Sequence, residues 1–334
     1  MNKITNIKGV VIGTMILISS CNDKGTVSPF GEILSQQPYA GLTDSIKQQP
    51  ENDELYFRRA VLLNINNLPE PAMVDFQKAW SLKKDERYAF GLGNLLLEKK
   101  PDSAIIFLNQ ALAELPNSFL LPLTLARSLH AQNKTEEALK VCNNMLLKNP
   151  EQVDVLKIKA DILDSKGDKK ASLSTLEKAY NLTPFDVELN YMLALKLAEM
   201  KNIRVIQLCD SLIRADSLQL HAEPYYYKGI YFSNMNDKAK AILMFDEAIK
   251  HNYNFLEGYI EKGALLYEIK KIKEALGVFN LALTISPKFA DAYYWIAKCQ
   301  QAMGQIEEAK LNYERAYSLD KNLTEAKAAA DKLK

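Results

Sequence analysis

The chain has 334 residues, 48% of them hydrophobic and 25% charged, the proportions of an ordinary globular protein. Its 42 Lys and Arg stand against 41 Asp and Glu, a balance that offers no field for capturing nucleic acid or an anionic membrane surface. Gly and Pro are few, at 13 and 12. Alternating strand patterns are scarce, while apolar residues recur at i, i+3, i+4 and i+7 almost throughout. The sequence therefore predicts an all-α chain.

The N-terminus, "MNKITNIKGVVIGTMILISSC", stands apart. Lys3 and Lys8 frame the start of an apolar run from Gly9 to Ile18, and Ser19, Ser20 and Cys21 follow. The run is shorter than the roughly 20 residues that cross a bilayer. A basic start, a short apolar core and small residues before a cut site read as a secretion signal. The ending "ISSC" resembles the lipobox of bacterial lipoproteins, with Ile18 where Leu is usual. That resemblance implies cleavage before Cys21 and acylation of this residue by chains such as palmitate. More than one acyl chain makes anchoring stable. Cleavage removes two lysines and no acid, leaving 40 basic residues against 41 acidic. Asn22 follows the cysteine. By resemblance to lipoprotein sorting in some Gram-negative bacteria, its not being Asp implies the outer membrane of the cell envelope, on a periplasmic or surface-facing side. Residues 1–20 are expected as the signal peptide. Residues 21–29, without apolar periodicity, are expected as a lipidated tether.

Further along, prolines mark time. Pro50, Pro116, Pro150, Pro184 and Pro287 are separated by 66, 34, 34 and 103 residues. A 34-residue period with one two-residue deletion and one insertion accounts for all four gaps. On that period, units begin near Asp53, Arg87, Phe119, Val153, Val187, Ala222, Leu256 and Ala290. The eighth position is small in Ala60, Ala126, Ala160, Ala194, Gly229, Gly263 and Ala297, with Asn94 the exception. The twentieth is small in Ala72, Ala104, Ala138, Ser172, Ala241, Ala275 and Ala309, with Ile206 the exception. A large residue fills the twenty-fourth in Phe76, Leu108, Leu176, Phe245, Phe279 and Tyr313. Small side chains let two helices approach, and knobs from the partner fill the holes.

Paired helices of 34 residues with small residues at 8, 20 and 27, an aromatic at 24 and Pro at 32 resemble the tetratricopeptide repeat (TPR). The segments "GYIEKGALLYEIKKIKEALGVFNLALTISP" and "AYYWIAKCQQAMGQIEEAKLNYERAYSLD" match best. The resemblance implies a right-handed superhelical solenoid of about eight helix-turn-helix repeats over residues 53–323. A cap or partial repeat is expected over residues 30–52, including a lone helix at 38–49. A C-terminal capping helix is expected over residues 324–334, with Thr324 as N-cap and Ala326, Ala330 and Leu333 as its apolar stripe. The repeat also assigns the trios Tyr225–Tyr226–Tyr227 and Tyr293–Tyr294–Trp295. In each, the first ring belongs inside the repeat, the third against a neighbour, and the middle one in the groove.

No P-loop, HExxH, GxSxG or CxxC motif occurs, and "GLGNLL" at Gly91 lies within a predicted helix. His130, His221 and His251 fall in different repeats, so no shared metal site is expected. Cys142, Cys209 and Cys299 lie two or three repeats apart, beyond disulfide reach, and read as buried thiols. Neither an enzyme nor a cofactor site is expected. The leading expectation is a lipid-anchored interaction scaffold that binds a partner peptide or helix in a concave groove. A glycan- or nutrient-capturing outer-membrane lipoprotein is the alternative. Against it stand short connections and two indoles only, Trp80 and Trp295.

In the TPR pattern, positions 2, 5, 9, 12 and 13 of each first helix face the groove. Here those positions carry Glu188, Glu223, Glu257 and Asp291 at position 2, and Tyr191, Tyr226, Ile260 and Tyr294 at position 5. Tyr267 and Glu268 extend the same wall, and Asp161, Asp164 and Glu199 add acid. Lys99, Arg127, Lys157 and Lys298 are the cations at the same positions. An acid in the first helical turn is also favoured by the helix dipole, by ~0.3–1 kcal/mol, which could itself explain the position-2 row. An acidic groove with tyrosines implies a ligand bearing basic and apolar residues.

Overall fold

The computed structural model describes residues 29–218 and 220–333, all of whose regular structure is α-helical. The expected signal peptide and Cys21 lie outside the described residues. Two compact units are present, one reaching to Leu95 and the other running from Leu96.

In the first unit, a short α1 (Gly31–Leu34), which the periodicity did not announce, precedes α2 (Ala40–Gln48). Then come α3 (Asp53–Ile65), α4 (Pro69–Leu82) and the start of α5 (Glu86–Lys99). Tyr39 and Ile46 are buried from the α2 segment. Phe57, Phe76 and Tyr88 form a ring cluster with centroids 6.0 and 5.1 Å apart. Gly91 has no side chain because Phe76 occupies that space; a Cβ there would lie 2.5 Å from its ring. The glycine therefore serves helix packing and not a nucleotide.

The second unit alternates first and second helices. Its pairs are α7 (Leu120–Ala131) with α8 (Thr135–Lys148) and α9 (Val153–Ser165) with α10 (Lys169–Leu182), preceded by α6 (Pro101–Glu114). Next are α11 (Val187–Glu199) with α12 (Arg204–Ala215) and α13 (Glu223–Asn234) with α14 (Lys238–His251). The last pairs are α15 (Leu256–Glu268) with α16 (Ile272–Ile285) and α17 (Ala290–Ala302) with α18 (Ile306–Leu319), closed by α19 (Thr324–Lys332). Each second helix packs on its own first helix and on the next repeat's first helix. First helices also meet in α7 with α9, α11 with α13, and α15 with α17. Successive second helices stay farther apart, so the first helices line the tighter, inner side of this unit.

The turns within repeats recur as strictly as the helices. Asn133, Gly167, Lys201, Asn236, Lys270 and Gly304 all take positive φ, between 57° and 87°. The residue after each donates its N–H to the carbonyl five positions back, as in Asp168 to Leu163 and Lys271 to Leu266, both at 2.9 Å. A left-handed residue followed by that bond terminates a helix and turns the chain back. Gly167 sits at φ +87° with open space around it, so Gly167→Ala meets only backbone strain. A loss of about 1 kcal/mol is expected in urea unfolding. No change in the midpoint would mean that the turn relaxes.

Phe245 and Phe279, both fully buried, fill the holes left by Gly229 and Gly263; a Cβ on either glycine would approach the ring to 2.4 Å. Cys142, Cys209 and Cys299 are buried free thiols, and burial pushes them up to about 11, 12 and 11. At the C-terminus Ala326 and Ala330 pack with Tyr313 and Ala316, and Leu333 joins them. Thr324 is not the N-cap: it is the first helical residue, Leu323 holds the cap position, and no side chain caps the end.

Candidate functional site

The inner face of the second unit is built from α9, α11, α13, α15 and α17. Its tyrosines are less bare than the repeat pattern implies. Tyr226 wedges between its own repeat and the next, with ring centroids 5.7 Å from Phe245 and 5.2 Å from Phe255. Burial raises its hydroxyl well above the usual range, and Glu261 and Glu257 add to the effect. Tyr226 is half-buried, with Phe255, from the turn before α15, edge-on against its ring. Tyr227 packs on the preceding repeat, 5.9 Å from Tyr191, and Tyr225 stacks on His251 of its own repeat at 4.4 Å. Tyr191 is half-buried, meets His221 at 6.4 Å, and is pushed up to about 12 by burial first and Glu223 second. Ile260 packs half-buried against the core around Phe279. Tyr267 and Tyr294 flank Trp295 at 5.8 and 6.0 Å, while Phe279 stacks on that indole at 5.6 Å.

The acids divide into two groups. Glu188, Asp164 and Glu199, on α9 and α11, are paired with lysines. Lys157 is ion-paired to Glu188 and lies 3.5 Å from Asp186. Asp161 meets His130 at 3.4 Å. Lys196, almost completely buried, reaches both Asp164 and Glu199 at 2.6 Å. An open cavity of about 350 Å³ between α7, α9 and α11 consequently has mixed charge, with Arg127 and Lys157 beside Asp154, Asp161 and Glu188. Glu268 is also paired, to Lys238 at 2.9 Å. Lys196 and Lys238 escape a count of inner positions: one lies on the flank of its helix and the other on a second helix.

The remaining acids of α13, α15 and α17 lack a lysine or arginine partner among the described residues. Among the described residues, no cation lies within ion-pair distance of Glu257, Glu261 or Asp291. Glu223 has only His221, at 3.9 Å, and its Oε2 is buried without a hydrogen bond. Glu261, absent from the sequence-derived set, has a raised carboxyl because burial removes water and Glu268 adds like charge. Asp291 is raised by burial, then by Asp320 and Glu325. Together with half-buried tyrosines, these groups make a negative, aromatic stretch suited to cationic and apolar side chains. Among the described residues no group of three His, Cys, Asp or Glu could hold a metal ion, and no helix is long and apolar enough to cross a membrane.

Comparison with known proteins agrees with this architecture. A tetratricopeptide repeat family model matches residues 95–162 and 266–332. The chain is 27% identical over 175 residues to anaphase-promoting complex subunit 7 of Homo sapiens, spanning 50% of this chain and 29% of that protein. It is 32% identical over 86 residues to an uncharacterized protein of Methanocaldococcus jannaschii, covering 26% of this chain and 95% of that one. The crystal structure of a tetratricopeptide repeat protein from Parabacteroides merdae superposes with TM-score 0.59 at 18% identity, over 73% of this chain and 96% of that one. The APC/C hetero-tetramer Cut9–Hcn1 gives TM-score 0.50 at 15% identity, over 87% and 57%. The chain belongs to the tetratricopeptide repeat family. Repeats of this family generally mediate protein–protein interactions.

Proposed function

We propose that this chain is a lipid-anchored scaffold that holds a partner peptide or helix along α13, α15 and α17. The anchor is Cys21, the place is a bacterial envelope membrane, and the anchoring rests on the sequence of residues 1–28. The observation that carries the partner class is the row of carboxylates without a lysine or arginine partner among the described residues, Glu223, Glu257, Glu261 and Asp291, set among tyrosines. A segment with basic residues to meet the acids and apolar residues to meet the rings fits that surface. Aromatic anchors usually dominate such contacts.

Alanine at Tyr226 and Tyr294 would also empty packing against Phe245, Phe255 and Tyr313, so it mixes binding with stability. Charge reversal of Glu257 with Asp291 is the cleaner test. Glu257 is exposed, and a lysine at position 291 relieves repulsion from Asp320 and Glu325. Tagged chain recovered from detergent-solubilised membranes is expected to carry a stoichiometric protein. That protein should be lost in Glu257→Lys/Asp291→Lys and released by rising salt. Undiminished, salt-insensitive capture by the folded variant, or recovery of carbohydrate in place of protein, would overturn the reading.

A further inference from the structure

Lys298, on α17, places its ammonium 4.0 Å from the centre of the Trp295 ring and 5.4 Å from those of Tyr267 and Tyr294. Among the described residues, no carboxylate lies within ion-pair distance of it. The nearest acid to influence it, Glu268, is engaged by Lys238. Three ring faces, not a counter-ion, hold this cation. Ring quadrupoles attract a cation most strongly where water is excluded. Loss of water also holds Lys298 below the ordinary lysine range, the mark of an ammonium incompletely solvated in its seat.

We infer that Tyr267, Tyr294 and Trp295 form a recognition site for an arginine side chain of the partner, and that Lys298 occupies it while the groove is empty. The inference rests on the proposed groove for its partner, but the site itself is defined by the three rings. Lys298 can leave because its stem is flexible and its ammonium regains water on departure. A guanidinium is planar and more weakly hydrated than an ammonium, so it gives up less on entering and stacks better on an indole. Arginine is therefore the favoured occupant over lysine. The acids of α13 and α15 supply the field that brings a cationic segment to this end of the groove.

The test needs no partner. The chain holds two tryptophans, Trp80 and Trp295, so 5-fluorotryptophan labelling gives two fluorine signals. Methylguanidinium chloride is titrated into the full chain, wild type, Lys298→Met and Lys298→Arg, with ionic strength held constant by sodium chloride. Lys298→Met is expected to show a saturable shift of the Trp295 signal, at a midpoint several-fold lower than wild type. Lys298→Arg should stay blocked like wild type, and Trp80 should not saturate in any of them. A folded Lys298→Met protein with an unresponsive Trp295, or with the wild-type midpoint, overturns the inference, as does an equal response at Trp80. Circular dichroism establishes folding. A failed guanidinium titration alongside intact, charge-dependent partner capture removes the cage alone. Lost capture with a responsive Trp295 removes the groove reading alone.

Discussion

Phe279→Ala is expected to destabilise the second unit by about 3–5 kcal/mol, the range for truncating a buried aromatic. Phe279 is fully buried, its ring fills the space above Gly263, and it stacks on Trp295 of the following repeat at 5.6 Å. The substitution thus opens a cavity inside one repeat and removes the surface on which the next one rests. In a stack where each repeat is supported by its neighbours, the loss should be felt first at the repeat whose outer side is least covered. Hydrogen exchange is expected to accelerate in α17, α18 and α19 before α7 to α10. The fit between ring and hole gives a sharper check. Gly263→Ala alone forces the ring to shift, whereas Gly263→Ala in a Phe279→Leu background meets a smaller, mobile side chain. The alanine should cost clearly less in that background, as the Leu176 and Ala160 pairing within one core cluster already suggests. Equal costs in both backgrounds, or uniform exchange along the unit, would refute the knob-and-hole account of this interface.

The helix pairs were legible because they are written in small residues. Ala60, Ala160, Gly229 and Gly263 recur where helices must approach, at the 34-residue period of the tetratricopeptide repeat. Burial of the three downstream cysteines followed from the same register. The inner surface was harder to read. Position 5 faces inward on an isolated repeat, but Phe255, from the following turn, also meets the Tyr226 ring edge-on at 5.2 Å. How a connecting segment folds back onto the preceding first helix is not specified by helical periodicity. Charge partners failed for a related reason. Lys196 threads from the flank of α11 between Asp164 and Glu199, and Lys238 crosses from a second helix to Glu268. Neither occupies an inner position, so counting inner positions overstates the acid. Glu261 was missed in the opposite direction. It follows Ile260 by one residue, about 100° round the helix, yet it is partly buried and its charge acts on Tyr226.

The first unit offers the second large effect, in a buried ion pair linking its helices. Arg59 of α3 makes two bonds to Asp75 of α4, at 2.6 and 2.8 Å, and donates a third to Thr43 of α2 at 2.9 Å. Thr43 in turn donates to the Leu34 carbonyl at 2.7 Å, so one guanidinium ties the N-terminal helices to the first repeat. Both charged side chains are over nine-tenths buried. Burial raises the Asp75 carboxyl above its ordinary value, even though the hydrogen bond and charge of Arg59 pull the other way. Desolvation therefore outweighs pairing, the regime in which an apolar replacement of both partners is near neutral while removal of one is costly. Arg59→Met is expected to lose about 3–5 kcal/mol at neutral pH, because it strands a buried carboxylate. Arg59→Met with Asp75→Leu should recover most of that loss. The sign of the pH dependence follows from the raised carboxyl. The folded chain holds the Asp75 proton more tightly than the unfolded chain, so stability falls as pH rises past the ordinary Asp value. Arg59→Met removes the opposing pull and steepens that fall, so its deficit should shrink on acidification toward the carboxylate range. Urea melts followed by Trp80 fluorescence in a Trp295→Phe background report this unit separately. A single-variant deficit that is unchanged by acid and remains in the double variant would show that Arg59 acts through packing and its bond to Thr43, not through the charge it neutralises.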